Sequence, residues 1–296
     1  MGENTSIIVD GIGYFKPQVY LLNQSGLGVA ELAARTCYDS FENSENDCIR
    51  DFDSETIGMM GGTNVDVINS IEDSALLSQL AWVHHHHSII EHTSLSFLIK
   101  GTSRGVLQEH ARHRLQNISV RSTRYTMQAV LYAFIDSLYN DNQKERFQAL
   151  MIEQDILVTP ALSDYSLIVY NSMFDKLKFQ YDILGFEQFI DTALSKDAKA
   201  KFEKHLSTSD GIGLYSILLT AKSKRNVGDA FKHIVDDNWK VDMVVTMNLR
   251  ALKNYLDLRD SGAAYFQIRW LAEEMKNVIP KKYLKLIDKK FKDIEN

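Results

Sequence analysis

Apolar residues recur along this chain in two periods, and the change from one to the other marks its elements. Leu95, Phe97 and Ile99 alternate with Ser94, Ser96 and Leu98, and Val241, Met243, Val245 and Met247 alternate with Asp242, Val244 and Thr246. A period of two is that of a half-buried strand. Val19-Tyr20-Leu21-Leu22 is a short apolar run that predicts an early buried strand. Elsewhere the spacing is helical. Leu27, Ala30, Ala34 and Tyr38 predict a helix between Ser25 and Tyr38, and Ala75, Leu76, Leu80 and Val83 predict another, opened by a Ser70/Asp73 capping box. Ser103 caps a predicted helix with Val106, Leu107, His110 and Ala111 inward, after which residues as far as Tyr125 read as an Arg/Ser-rich loop. Asn248 caps a helix that follows the second alternating strand.

Between these stretches the pattern is quieter. Residues 39–65, with the pair Gly61-Gly62, read as a long surface loop, and loops beyond about 15 residues are usually functional or disordered. Residues 141–224 read as a mostly helical excursion. Within it Ser163 opens a run through Leu167, Ile168, Phe174, Leu177, Tyr181 and Leu184 that predicts core or subunit packing. Gly211-Ile212-Gly213 precedes a further apolar helix through Tyr215, Leu218 and Leu219, and a short basic turn follows at 222–226. No repeat or linker divides the chain. The expectation is one domain, residues 1–296, with the excursion as its one departure.

Composition narrows the function classes. With 45% hydrophobic and 24% charged residues and three prolines in 296, the chain reads as a helix-rich globular protein. Its start lacks the basic and apolar regions of a secretory signal, and no apolar run approaches the roughly 18 residues that span a bilayer, so a cytoplasmic protein with no membrane partner is expected. Cys37 and Cys48 form no metal-ligand pattern and are expected to be reduced. A net charge of −6 argues against a general nucleic-acid binder.

Against that acidic background, five arginines (Arg104, Arg112, Arg114, Arg121 and Arg124) lie between Gly101 and Tyr125, opposed by one carboxylate, Glu109. A guanidinium is a permanently charged planar fork matched to phosphate or carboxylate, and Ser119, Ser122 and Thr123 add hydroxyl donors beside it. A concentrated island of this kind suits a small phosphorylated ligand. A nucleic-acid module would need stacking aromatics among the arginines, and only Tyr125 qualifies. Gly11-Ile12-Gly13 lacks the third glycine of a dinucleotide fingerprint. The run His84-His85-His86-His87 invites a metal, but consecutive side chains point in different directions and no carboxylate or cysteine completes a site, so none is expected; instead one or two of these rings are expected to line a polar pocket while Glu91 and His92 pair structurally. On the late helix, Arg250 and Asn254 fall about 40° apart and Arg259 near 180° from Arg250. Either that helix ends near Asp257, or it sits between two ligand sites, as in a symmetric oligomer with sites at subunit boundaries.

Three separated motifs then occur in one order. Arg112-His113-Arg114 is followed after seven residues by Ser122 and then Arg124-Tyr125; His86-x-Ser88-x-x-Glu91-His92 stands upstream; Asn248-x-Arg250-x3-Asn254-x4-Arg259 stands downstream. Together they resemble the flavin-dependent thymidylate synthases, over residues 18–40, 80–130 and 230–270. The resemblance implies an α+β fold, with a central, mainly antiparallel sheet flanked by helices and a helical insertion. It implies reductive methylation of dUMP to dTMP, with methylenetetrahydrofolate as carbon donor, FAD as hydride carrier and NADPH as reductant, in a homotetramer with shared sites.

By the same resemblance, Arg112, Ser122 and Arg124 bind dUMP, with Arg121 and Thr123 beside them and Glu109 reaching the sugar. FAD is contacted by Ser88, Arg112, His113, Arg114, Asn248, Arg250 and Asn254, with His86 near the flavin. Arg259 favours ionisation of the uracil imide, a role that dispenses with a cysteine nucleophile. Two positions depart from the family pattern. Val120 stands where many members carry Glu, leaving its backbone for any cofactor contact, and Lys232 stands where an arginine usually holds dUMP, keeping the charge and losing the fork. A non-catalytic FAD- or nucleotide-binding protein of the same fold is the alternative; retention of Ser122 and Arg259 argues against it.

Overall fold

The described residues form six strands: β1 (Ser6–Val9), β2 (Ile12–Phe15), β3 (Gln18–Gln24), β4 (Ser94–Ser103), β5 (Gln116–Val120) and β6 (Lys240–Asn248). They belong to a computed structural model that describes residues 6–50, 68–71, 74–158, 164–208, 211–222 and 227–294. The chain divides into two compact units. One, the sheet unit, comprises Pro17–Lys100, Val106–Val120 and Asp242–Asn296; the other, the helical unit, comprises Met1–Lys16, Gly101–Gly105 and Arg121–Val241.

In the sheet unit the strands run in the order β3-β4-β6-β5. β3 and β4 pair antiparallel from Gln18 opposite Lys100 to Gln24 opposite Leu95, with a bulge between Leu21 and Asn23. β5 and β6 pair antiparallel from Gln116 opposite Met247 to Val120 opposite Met243. The alternation predicted for β4 and β6 is realised: Leu95, Phe97, Ile99, Val241, Met243, Val245 and Met247 are buried, while Val244 is exposed. Each such side chain contributes about 1.5–3 kcal/mol by leaving water. Helices Gly28–Tyr38, Ala75–Trp82, Leu249–Arg259, Phe266–Val278 and Lys281–Ile287 supply the rest of this core. The chain leading into the first of these requires glycine, because a Cβ on Gly26 would lie 2.3 Å from the Asn69 backbone.

Several expectations are corrected here. The helix from Ala75 is capped by Ser74, whose hydroxyl accepts from the Leu77 N–H at 3.4 Å; Ser70 does not cap it, and Asp73 lies outside the described residues. The helix predicted through Ala111 stops at His110, leaving Ala111 exposed. The Arg/Ser-rich segment is a loop only at 111–115 and 121–122. Gln116–Val120 is β5, and Thr123–Ser137 is a helix with Ser122 as its N-cap, its hydroxyl accepting from the Arg124 N–H at 3.3 Å. Polar composition hid that strand because its order comes from pairing with β6. The loop predicted at 39–65 carries short helical turns at Phe41–Asn43 and Asp47–Arg50, tied down by buried Glu31, which accepts from Ser44 Oγ at 2.7 Å and Asn46 Nδ2 at 2.8 Å. The Gly61-Gly62 pair lies outside the described residues.

In the helical unit, Gly11-Ile12-Gly13 belongs to the β1–β2 hairpin. Asp10 and Gly11, at φ 52° and 83°, make its two-residue turn, a geometry that favours Asp-Gly. Helices Gln143–Glu153, Asp164–Leu184, Phe186–Ala193 and Lys196–Thr208 account for the excursion, followed by Leu214–Leu219. Phe134 is fully buried here, with its ring centroid 5.4 Å from Phe174, 5.4 Å from Phe189, 6.1 Å from Tyr181 and 6.5 Å from Phe147. The predicted stripe thus supplies core at Phe174 and Leu177, whereas Ile168 remains exposed; Ser163 and most of the basic turn at 222–226 fall outside the described residues. Among the described residues no helix is long and apolar enough to cross a membrane.

Candidate active site

Strand β6 leads directly into the helix Leu249–Arg259. Asn248 ends the strand in an extended conformation, and its side-chain carbonyl accepts the Ala251 N–H at 2.8 Å. The cap fixes where the first turn begins and therefore where every later side chain on the helix points. Leu249, Leu252, Tyr255 and Leu256 enter the core. The opposite side presents Arg250, Lys253, Asn254, Asp257 and Leu258 to a cavity of about 660 Å³, completed by His87, Arg112, His113, Arg114 and Leu115.

Arg259, in the last turn, lines the same cavity, although the angular argument set it opposite Arg250. The helix continues to Arg259 instead of ending near Asp257, and within this chain one cavity takes both arginines. A long side chain at a helix end can reach back around the axis, which residue angles alone do not capture.

What holds Arg259 is specific. Its Nη1 donates to Glu109 Oε2 at 2.9 Å, its Nη2 to the Glu109 carbonyl at 3.2 Å, and its Nε to His113 Nε2 at 2.9 Å. The side chain is only 16% exposed. His113 is buried, its ring edge-on to Tyr255 with centroids 4.7 Å apart. Tyr255 is fully buried, and its hydroxyl lies 3.2 Å from His110 Nδ1. Burial first, then the charge of Arg259, holds the His113 imidazole below its ordinary pKa, with Glu109 opposing. His110 is pushed down to about 4 by burial, helped by His113 and Arg259 and opposed by Gln116. Both rings are therefore neutral near pH 7. His110 Nε2 and Gln116 Oε1 are buried and have no hydrogen-bond partner among the described residues.

Around this centre the cations are looser. Arg112 Nη1 lies 3.5 Å from Glu109 Oε1 and is largely exposed. Arg250 pairs with Glu91, which corrects the expected Glu91–His92 pair. His86 and Ser88 are exposed and do not line the cavity; His86 Nδ1 is 3.2 Å from the Tyr38 hydroxyl. His87 lines it instead, its Nε2 2.9 Å from the Ala81 carbonyl oxygen. Val120 stands in β5 opposite Met243.

The remaining expected residues lie in the helical unit. Ser122 caps the Thr123–Ser137 helix, with Thr123 buried beside it. Arg124 Nη2 pairs with Asp229 Oδ2 at 2.9 Å, and Lys232, exposed, opens the 3₁₀ turn Lys232–Ile234. Arg121 borders a separate cavity of about 280 Å³ with Gln128, Gln154, Trp239 and Lys240. Leu115, Lys253, Asp257 and Leu258 line the cavity without having been expected there, and His87 is the ring of the histidine run that lines it. Asp257 and Leu258 could have been found by following the face of Asn254 one turn on.

An α+β protein whose capped late helix and the segment 112–115 gather cations around one cavity has the chemistry of an anion-binding protein. The comparisons make this particular. The family model described as Thymidylate synthase complementing protein matches residues 21–283, and the chain belongs to that family. The flavin-dependent thymidylate synthase of Wolinella succinogenes is 25% identical over 265 residues, 90% of this chain and 94% of that one; that of Campylobacter jejuni is 27% identical over 266 residues, 90% and 93%. The fold is similar to that of thymidylate synthase X from Helicobacter pylori, solved with FAD and dUMP: TM-score 0.56, 22% identity, covering 93% of this chain and 99% of that one.

Proposed function

We propose that this chain is a flavin-dependent thymidylate synthase that methylates dUMP to dTMP, taking the carbon from methylenetetrahydrofolate and the reducing equivalents from NADPH. The observation that carries the reading is the immobilised cation at Arg259 beside a cavity rich in further guanidinium groups. FAD fits the donor set of that cavity. Arg112, Arg114 and Arg250 suit its diphosphate, Asn254 suits polar ring or ribose edges, and Leu115 and Leu258, 67% and 53% exposed, offer apolar surface to a planar ring. When bound, the flavin supplies the hydride that completes the methyl group.

The chain's own residues do the rest. Arg259 faces the uracil imide and favours its anion, which raises electron density at the carbon to be alkylated. Glu109 and His113 keep that guanidinium from swinging, so no reorganisation is needed when charge develops. Glu109, Arg112, Arg121, Ser122, Thr123, Arg124 and Lys232 are the further proposed dUMP contacts. A homotetramer working in the cytoplasm completes the reading.

The test is direct. Purified protein should carry the visible absorption of oxidised flavin, or acquire it on adding FAD, and should form dTMP from dUMP, methylenetetrahydrofolate and NADPH. A colourless protein that neither takes up FAD nor makes dTMP sinks the assignment; a yellow protein that binds dUMP without turnover supports a non-catalytic binder instead.

A further inference from the structure

We propose that His113 is the positioning residue for Arg259: its neutral ring accepts a hydrogen bond from Arg259 Nε and fixes the plane of the guanidinium at the cavity wall. The geometry carries this. Both of the other bonds to Arg259 come from Glu109, one to its carboxylate and one to its carbonyl oxygen. A guanidinium held only along its Nη edge can still rock about that edge. The bond from Nε to His113 Nε2, at 2.9 Å, supplies a third point out of line with the first two.

The choice of acceptor has a physical consequence. Glu109 already offsets the charge of Arg259, so a second carboxylate at Nε would make the cluster net negative. A neutral imidazole orients the guanidinium and adds no further negative charge. The arrangement requires a lone pair on Nε2, hence the neutral ring with its proton on Nδ1. Tyr255 packs edge-on against the same ring, and His110 stands within hydrogen-bond reach of the Tyr255 hydroxyl, so the acceptor is itself wedged by buried groups.

The titratable and charged groups facing His113 are Arg259 and Tyr255 from the late helix, and Glu109 and His110 from the helix before it. Burial and Arg259 favour the neutral ring, in the sense the geometry needs. Protonation would set an N–H against the Arg259 N–H and release it.

Two readouts test the idea, and only the second rests on the proposed function. The first is nitrogen NMR of histidine-labelled protein, which reads the tautomer of His113 whether or not the protein is an enzyme. The Nδ1–H form is expected, and the Nε2–H form overturns the proposal. The second uses the holoenzyme reconstituted with FAD. His113→Phe keeps a packing ring without an acceptor and should lose about tenfold or more in kcat. His113→Gln brings a carbonyl oxygen that accepts without titrating; it should recover most of that loss and remove the acid limb of the wild-type pH profile.

A Gln variant as impaired as the Phe variant, or a Phe variant equal to wild type, overturns the positioning role. Wild-type protein that forms no dTMP rejects the enzymatic reading, while the tautomer still decides this one.

Discussion

Two arginine–carboxylate pairs in this molecule have the same length and different meanings. In the sheet unit Arg259 meets Glu109 at 2.9 Å, 16% exposed and bonded through all three guanidinium nitrogens. In the helical unit Arg124 meets Asp229 at 2.9 Å, with the side chains 53% and 66% exposed and Arg124 contributing one guanidinium nitrogen. Distance does not separate them. Water around the second pair screens the attraction and competes for every donor, so such a pair contributes about 0–1 kcal/mol. The first is walled in by Tyr255, His113 and helix backbone, and its value lies in direction as much as in energy. The units differ in the same way as wholes: one wraps a sheet core beside a cavity, and the other packs aromatic rings on one another.

That contrast can be broken or sharpened in descending order of effect. Phe134→Ala should cost about 3–5 kcal/mol in denaturant unfolding, because it empties the centre of the aromatic cluster in the helical unit. A cost below about 1 kcal/mol would mean the rings are not the core of that unit. Arg259→Ala should lower kcat/KM for dTMP formation on the order of 10²–10³-fold, comparable to removing one preorganised donor. Retained activity would reduce Arg259 to a structural clasp.

Acid should weaken the sheet unit through His110. Its folded pKa, about 4, lies below its ordinary 6.5, so the unfolded chain takes up the proton first. The stabilisation is complete above about pH 6.5 and is lost as pH falls towards 4, by roughly 3 kcal/mol. From pH 6.5 down to 4 wild type should lose roughly 3 kcal/mol relative to His110→Phe; parallel curves would show that His110 takes up its proton in the fold as readily as in the unfolded chain. Asn248→Ala should cost about 1 kcal/mol by removing the cap that starts the late helix. Smallest of all, Asp229→Ala should change stability by less than about 1 kcal/mol, the shift shrinking further in salt.

How far the sequence could be read follows from how local each cause is. Strands β4 and β6 declare themselves by alternation, because one face of each is buried and the other is not. Asn248 declares the start of its helix because a cap bonds three residues ahead. The motif spacings likewise each occupy one short stretch of chain, even where that stretch crosses from one element to the next, so the family and the cations that serve it were legible from the residues alone.

What tertiary structure alone decided is who meets whom. Gln116–Val120 is polar enough to pass for a loop and becomes a strand only because β6 offers it a partner more than a hundred residues later. His87 lines the cavity in place of His86 through the fold of one short segment, and Arg259 finds Glu109 and His113 from 150 and 146 positions away. Periodicity records which face of an element avoids water. It carries no information about which distant group the chain's path brings to that face, and the orientation of Arg259 is a property of that path.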